Sequence, residues 1–137
     1  MAHWLFKEEP DHYSFSDLVR DKRTWWSGVS NALARKHLRQ VQVGDRVFLY
    51  HTGREKAVVG EMRVVAGPAE DPASDDPNSV VVEVEPVRAL GRPVSLAEIK
   101  ADEAFSDWEL VRLPRLSVMP VTEAQWRRVE QLGRADG

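Results

Sequence analysis

The sequence predicts an α+β fold in which helices surround a small, curved or barrel-like sheet. Strand-like runs recur in series at 46–51 (RVFLYH), 57–65 (AVVGEMRVV) and 79–90 (SVVVEVEPVRAL), without the regular strand–helix alternation of a parallel α/β sheet. Ser95-Leu96-Ala97-Glu98 and Thr122-Glu123-Ala124-Gln125 both fit the capping box, in which the first and fourth side chains satisfy each other's orphan amide groups, so each opens a helix. No repeat, low-complexity tract or linker interrupts this pattern. With 137 residues, 42% of them hydrophobic, one core suffices, and a single domain is expected over 1–137.

Taken in order, His3 to Lys7 reads as a short strand with Trp4 and Phe6 on one face and Leu5 on the other, ended by Pro10 and Asp11. Ser14, with Asp17 three residues on, caps a helix that reaches Asp21 and carries Phe15, Leu18 and Val19 as its apolar stripe. Trp25 to Ser30 reads as loop. Asn31 caps a second helix, Ala32 to Gln40, with Ala34, Leu38 and the following Val41 on one face and Arg35, Lys36 and Arg39 off it. Val43-Gly44-Asp45 turns the chain into the run 46–51. Thr52 to Lys56, containing Gly53, joins that run to 57–65, so the two strands are expected to be antiparallel neighbours.

Gly67 to Ser79 holds three prolines and four acids without apolar periodicity and reads as a surface loop. Pro86, inside the run 79–90, cannot donate to a ladder, which places it at an edge, a bulge or a break. Leu116 to Val121 is extended. The last helix, Glu123 to Leu132, sets Trp126, Val129 and Leu132 at three-residue spacing to pack on the sheet.

Composition removes several classes of function. Without cysteine there is no disulfide, thiolate nucleophile or cysteine-based zinc site. The start MAHWLFKEEP lacks the pattern of a secretory signal, and no apolar run reaches membrane-spanning length; a cytoplasmic monomer with no membrane partner is expected. A formal net charge of −3 supplies no global positive field for tight non-specific nucleic-acid binding. The charge is uneven, however. Arg20, Lys22, Arg23, Arg35, Lys36 and Arg39 face a single acid, Asp21, within 20–39, while acids gather in the segment EDPASDD at 70–76. That basic sector either approaches phosphates or is a solvated helix face.

Catalytic signatures are missing. The chain has no GxSxG elbow, no GxxxxGK[ST] loop and no GxGxxG turn, and His3, His12, His37 and His51 show no metal-ligand spacing, so neither metal nor cofactor is expected. Glu8 and Glu9 are adjacent at a strand end and point to opposite faces, a poor placement for a paired general acid and base. Aromatic usage is more informative: five tryptophans are present, two of them in Thr24-Trp25-Trp26-Ser27-Gly28-Val29-Ser30-Asn31. One of that pair suits the core. The other, beside Ser27 and Asn31, suits an aromatic wall with hydrogen-bonding groups at its edge, as selection of a flat heterocycle requires.

An ordered set of motifs carries a family resemblance. Trp4-Leu5-Phe6-Lys7-Glu8-Glu9-Pro10, Tyr13-Ser14, Trp26-Ser27-Gly28-Val29-Ser30-Asn31, Val43-Gly44-Asp45, Phe48-Leu49-Tyr50-His51, Val59-Gly60, Leu113 through Val121 (LPRLSVMPV) and Trp126 follow one another as in EVE domains, over nearly the whole chain. The resemblance implies a PUA-like fold, a small β-barrel or strongly curved mixed sheet with peripheral helices, and kinship with YTH and SRA-type readers. It also implies a non-catalytic nucleic-acid-binding role in which a modified base, a modified cytosine of DNA or a modified base of RNA, enters a pocket. By position, Trp26 resembles the aromatic wall, with Ser27 and Asn31 at the base edge and Lys7, Tyr50, His51, Ser117 and Val118 on the remaining sides.

Arg35, Lys36 and Arg39 are the nearest basic candidates for phosphate contacts. The chain departs from the family pattern at Glu8, where a serine is common, and at Ser30, where an arginine is common. Two other readings stay open: an enzyme acting on RNA or a nucleotide, and a pocket for a free nucleoside or other small molecule.

Overall fold

The computed structural model describes residues 1–134. Six strands, β1 (His3–Glu8), β2 (Thr24–Trp26), β3 (Arg46–His51), β4 (Ala57–Ala69), β5 (Val81–Ser95) and β6 (Val118–Pro120), form one sheet in the order β2-β5-β4-β3-β1-β6. Only β1 and β3 run parallel; the other pairings are antiparallel. Around the sheet lie α1 (Phe15–Asp21), α2 (Ala32–Leu38), α3 (Leu96–Ala101), α4 (Glu109–Arg112) and α5 (Glu123–Leu132). The α+β architecture expected from the sequence is the one observed.

The sheet is curled into a half-barrel. Three strands separate β1 from β2 in the sheet order, yet the rings of Phe6 on β1 and Trp26 on β2 approach to 5.7 Å between centroids. A flat sheet of strands about 4.8 Å apart would hold those rings far apart. The curl is concentrated in β4 and β5, whose mutual register shifts at four places, and each such bulge adds bend and twist. Pro86 faces Met62 at one of these shifts, just beyond the Val82–Val84 stretch that β2 covers, so its missing amide proton falls where the ladder is interrupted.

Local signals place the helices. Ser14, Ser95 and Thr122 close capping boxes with Asp17, Glu98 and Gln125, and the Asn31 side chain accepts from the Ala34 amide at 3.0 Å. The helix expected over Ala32 to Gln40 stops at Leu38, two residues short. Differences are larger where pairing is long-range. Thr24–Trp26 is an edge strand because β5 offers it a partner, although Trp25 to Ser30 reads as loop in isolation. The loop expected over Gly67 to Ser79 gives its first residues to β4, and β5 runs on past Leu90 to Ser95.

Two packing features fix the sheet on its helices. Trp126 of α5 stacks on Phe48 of β3 at 3.6 Å with planes 11° apart, and the Arg46 guanidinium covers the same indole at 4.8 Å. On the other side, α1 lays Phe15 over Gly60 so closely that a Cβ at position 60 would stand 2.4 Å from the ring. Gly60→Ala is therefore expected to destabilise the fold by about 1–3 kcal/mol through overpacking, measured by urea denaturation. A neutral effect would show that Phe15 is free to move aside.

Candidate nucleic-acid interface

The ends of β1 and β2 meet the turn before α1 around a hollow of about 200 Å³ lined by Glu8, His12, Tyr13, Thr24, Trp25, Trp26 and Ser27. Trp26 is 5% exposed, wedged between Phe6 and the edge of Tyr13, whereas its neighbour Trp25, on the opposite face of the same strand, is 46% exposed. Of the paired tryptophans, the one resembling the family's wall is thus mostly core and shows only part of its surface to the hollow. The polar rim is built by neighbours. The Tyr13 hydroxyl donates to Asp21 at 2.9 Å, and Glu8 Oε1 accepts from the Glu9 amide at 2.9 Å and lies 3.1 Å from His12 Nδ1.

Lys7 and Tyr50 do not join this hollow. They are register partners in the parallel β1–β3 pair, so both side chains leave the sheet on the face opposite Phe6 and Glu8. There they line a separate hollow of about 300 Å³ together with Thr52, Lys56, Lys100, Leu110 and Pro114 among others. Lys7 Nζ donates to the Pro114 carbonyl at 3.0 Å and lies 5.5 Å from the Tyr50 ring centre. Burial holds the Lys7 ammonium below its ordinary pKa and pushes the Tyr50 phenol up to about 12. At neutral pH Tyr50 is therefore a neutral hydroxyl.

The other residues matched to the family pocket have structural duties. His51 is buried; its Nε2 accepts the Phe15 amide at 3.1 Å and its Nδ1 sits 2.6 Å from Glu55 Oε1, so it ties β3 to α1 with both nitrogens engaged. Val118 is fully buried and faces inward opposite Phe6, and the Ser117 carbonyl accepts the Lys7 amide at 2.9 Å. Asn31 spends its carbonyl on capping α2 and borders a third, shallow hollow with Leu33, Leu113, Pro114, Arg115 and Leu116. Ser27 alone accompanies Trp26.

The basic sector and the acidic loop, separate features in the sequence, meet in the fold. Arg35 donates to the Val29 carbonyl at 2.7 Å and to Asp76 at 2.8 Å, and Arg39 donates to the Asn78 carbonyl at 2.9 Å. Both of these phosphate candidates are thus engaged by groups of the fold itself. Lys36 is exposed, with no side-chain partner among the described residues. Reasoning from sequence missed Tyr13, His12 and Thr24 at the aromatic hollow and Lys56 and Lys100 at the other. Only Tyr13-Ser14, as part of the motif series, pointed to any of them.

Among the described residues no cluster of three His, Cys, Asp or Glu side chains is placed to hold a metal, and no helix is long and apolar enough to cross a membrane. A mixed sheet of this order, curled into a half-barrel with helices outside it, defines a PUA-like domain. Residues 2–132 match the EVE domain, and the chain belongs to the EVE domain family. It is 31% identical to human thymocyte nuclear protein 1 over 91% of this chain and 71% of that protein.

A crystal structure from Agrobacterium tumefaciens superposes with a TM-score of 0.93 at 33% identity, covering 100% of this chain and 97% of the other. The human THYN1 protein, solved in complex with DNA containing 5-methylcytosine, superposes with a TM-score of 0.90 at 29% identity, covering 97% of this chain and 98% of the other.

Proposed function

We propose that this protein is a non-catalytic reader that holds a modified cytosine of DNA in the hollow between Trp25, Trp26, Tyr13 and Glu8. The carrying observation is that hollow: aromatic surfaces for a flat ring, with Ser27, Thr24 and a carboxylate at its edge, in a chain of the family whose human member was solved with 5-methylcytosine DNA. Glu8 Oε2 has no hydrogen-bond partner among the described residues, and a carboxylate is a fitting acceptor for the cytosine N4 amino group. This gives a role to the acid that stands where the family commonly has serine. Supporting the absence of catalysis, both nitrogens of His51 are occupied within the fold, and among the described residues no hydroxyl lining either hollow is hydrogen-bonded to a histidine or a lysine.

A base inside a duplex must be flipped out, at a cost of a few kcal/mol, and stacking offsets about 1–3 kcal/mol of that. Burial of one methyl group adds roughly 0.8 kcal/mol, or about fourfold in affinity. Oligonucleotides carrying 5-methylcytosine, 5-hydroxymethylcytosine or cytosine, titrated by fluorescence anisotropy, are expected to separate by about that factor in favour of the methylated base. Trp25→Ala is expected to weaken binding by about 1–3 kcal/mol. Equal affinity for all three bases sinks the reading, and cleavage of RNA or DNA during the incubation would make the protein an enzyme instead.

Because Asp76 holds Arg35, a phosphate contact from Arg35 competes with this ion pair. Asp76→Ala is expected to steepen the dependence of log affinity on log salt by about one, the contribution of one added phosphate contact. An unchanged slope would show that Arg35 stays on the Val29 carbonyl.

A further inference from the structure

We propose that the hollow of Lys7, Tyr50, Thr52, Lys56 and Lys100 is a phosphate-binding site on the face of β1 opposite the aromatic hollow. Three of the chain's five lysines line it, and among the described residues no aspartate or glutamate does, in a protein whose acids outnumber its bases by three. Eight of the fourteen arginines are paired with a carboxylate, and none of the five lysines, Lys7, Lys56 and Lys100 included, has a carboxylate partner among the described residues.

The interior of the site is built rather than merely exposed. Tyr50 is 3% exposed as a residue and lines the hollow, and its hydroxyl, which has no hydrogen-bond partner among the described residues, is not sealed from solvent and is free to meet a ligand. Lys7 is held over the Tyr50 ring with one carbonyl contact, leaving two of its three protons for a ligand. Lys56 occupies the left-handed region at φ 45°, uncommon for a long side chain, and the backbone is pinned there by the Leu96 amide donating to its carbonyl at 2.8 Å. A phosphate would meet ammonium groups, Tyr50 and Thr52 hydroxyls, and an apolar wall of Leu96, Leu110 and Val111 for whatever it is attached to.

The site stands independently of base reading. Its ligand carries a phosphate that comes either from a nucleic-acid backbone or from a free nucleotide. Isothermal titration of the full chain with inorganic phosphate, with cytidine 5′-monophosphate and with an unmodified oligonucleotide lacking terminal phosphates tests the site and distinguishes the sources. The test pair is K56Q/K100Q, two exposed lysines, and the control pair is R127Q/R134Q, two exposed arginines outside both hollows, with the same change in charge.

Saturable binding of at least one probe is expected, weakened about tenfold per lysine removed in the test pair and less than about twofold in the control. Y50F, which removes only the hydroxyl, should weaken it as well. Binding of the monophosphate alone assigns a free nucleotide; binding of the oligonucleotide alone assigns the backbone. No saturable binding of any probe, or equal loss in test and control pairs, overturns the proposal. The ratio of affinities for methylated and plain cytosine should be unchanged in K56Q/K100Q, and its absence in the wild type would overturn base reading without touching this site.

Discussion

Trp26→Ala is expected to lose about 3–5 kcal/mol of stability, with a fall in Tm of about 10–20 °C, before any effect on binding is considered. Trp26 is nearly buried, and its indole is the contact through which β2 at one edge of the sheet reaches Phe6 on the other side of the curl. Truncation leaves a cavity at the closure of the half-barrel, where Tyr13 also loses its edge-on partner. Loss of ligand binding in this variant would therefore report the fold as much as the site. Trp26→Phe keeps an aromatic ring in the core and should retain most of the stability, while Trp25→Ala, on the exposed face, should change stability by about 0.5 kcal/mol or less. Thermal melts of the three variants check this ordering. A Trp26→Ala protein as stable as the wild type would mean that the edge of the sheet closes without the indole.

The second large effect is expected at Asp45. This buried carboxylate closes the turn before β3 by accepting the Ala2 amide at 3.0 Å, the Trp4 indole N–H at 2.9 Å and the Gln42 amide at 2.9 Å, and it has no cationic partner among the described residues. Asp45→Ala leaves three donors without an acceptor, one of them inside the core. At about 1–3 kcal/mol for each buried donor left unsatisfied, and with the two outer amides partly rescued by water, the total cost is about 3–5 kcal/mol. Asp45→Asn retains one carbonyl oxygen and should fall between the alanine variant and the wild type. Urea denaturation with an unchanged m-value would attribute the loss to the native state. Equal stability of alanine and asparagine variants would remove the carboxylate's acceptor role from the account.

Much of the fold was legible because its signals are local. A capping box needs four residues, and Ser14, Ser95 and Thr122 mark their helices wherever the chain then goes. The runs 46–51 and 57–65 and the turn between them likewise read as antiparallel neighbours, and they pair so. The three-residue strand β2 was not legible, since nothing in Thr24-Trp25-Trp26 is extended without β5 beside it. The ionic ties from α2 to the acidic loop were equally hidden, because Arg35 and Asp76 are 41 positions apart and charge alone does not say which partners meet.

For the site, the ordered motifs determined the family, the half-barrel class and the aromatic residues around which a base reader is proposed. They did not determine which of those residues share a surface. That was decided by the parallel pairing of β1 with β3, which sends Lys7 and Tyr50 to one face and Glu8 and His51 to the other, and by the curl that brings Phe6 to Trp26. The physical reason is that a strand's side chains alternate every residue while the partner of each face is chosen across the sheet. A linear motif therefore names residues from both faces together, and tertiary pairing sorts them into an aromatic hollow and a lysine-lined one.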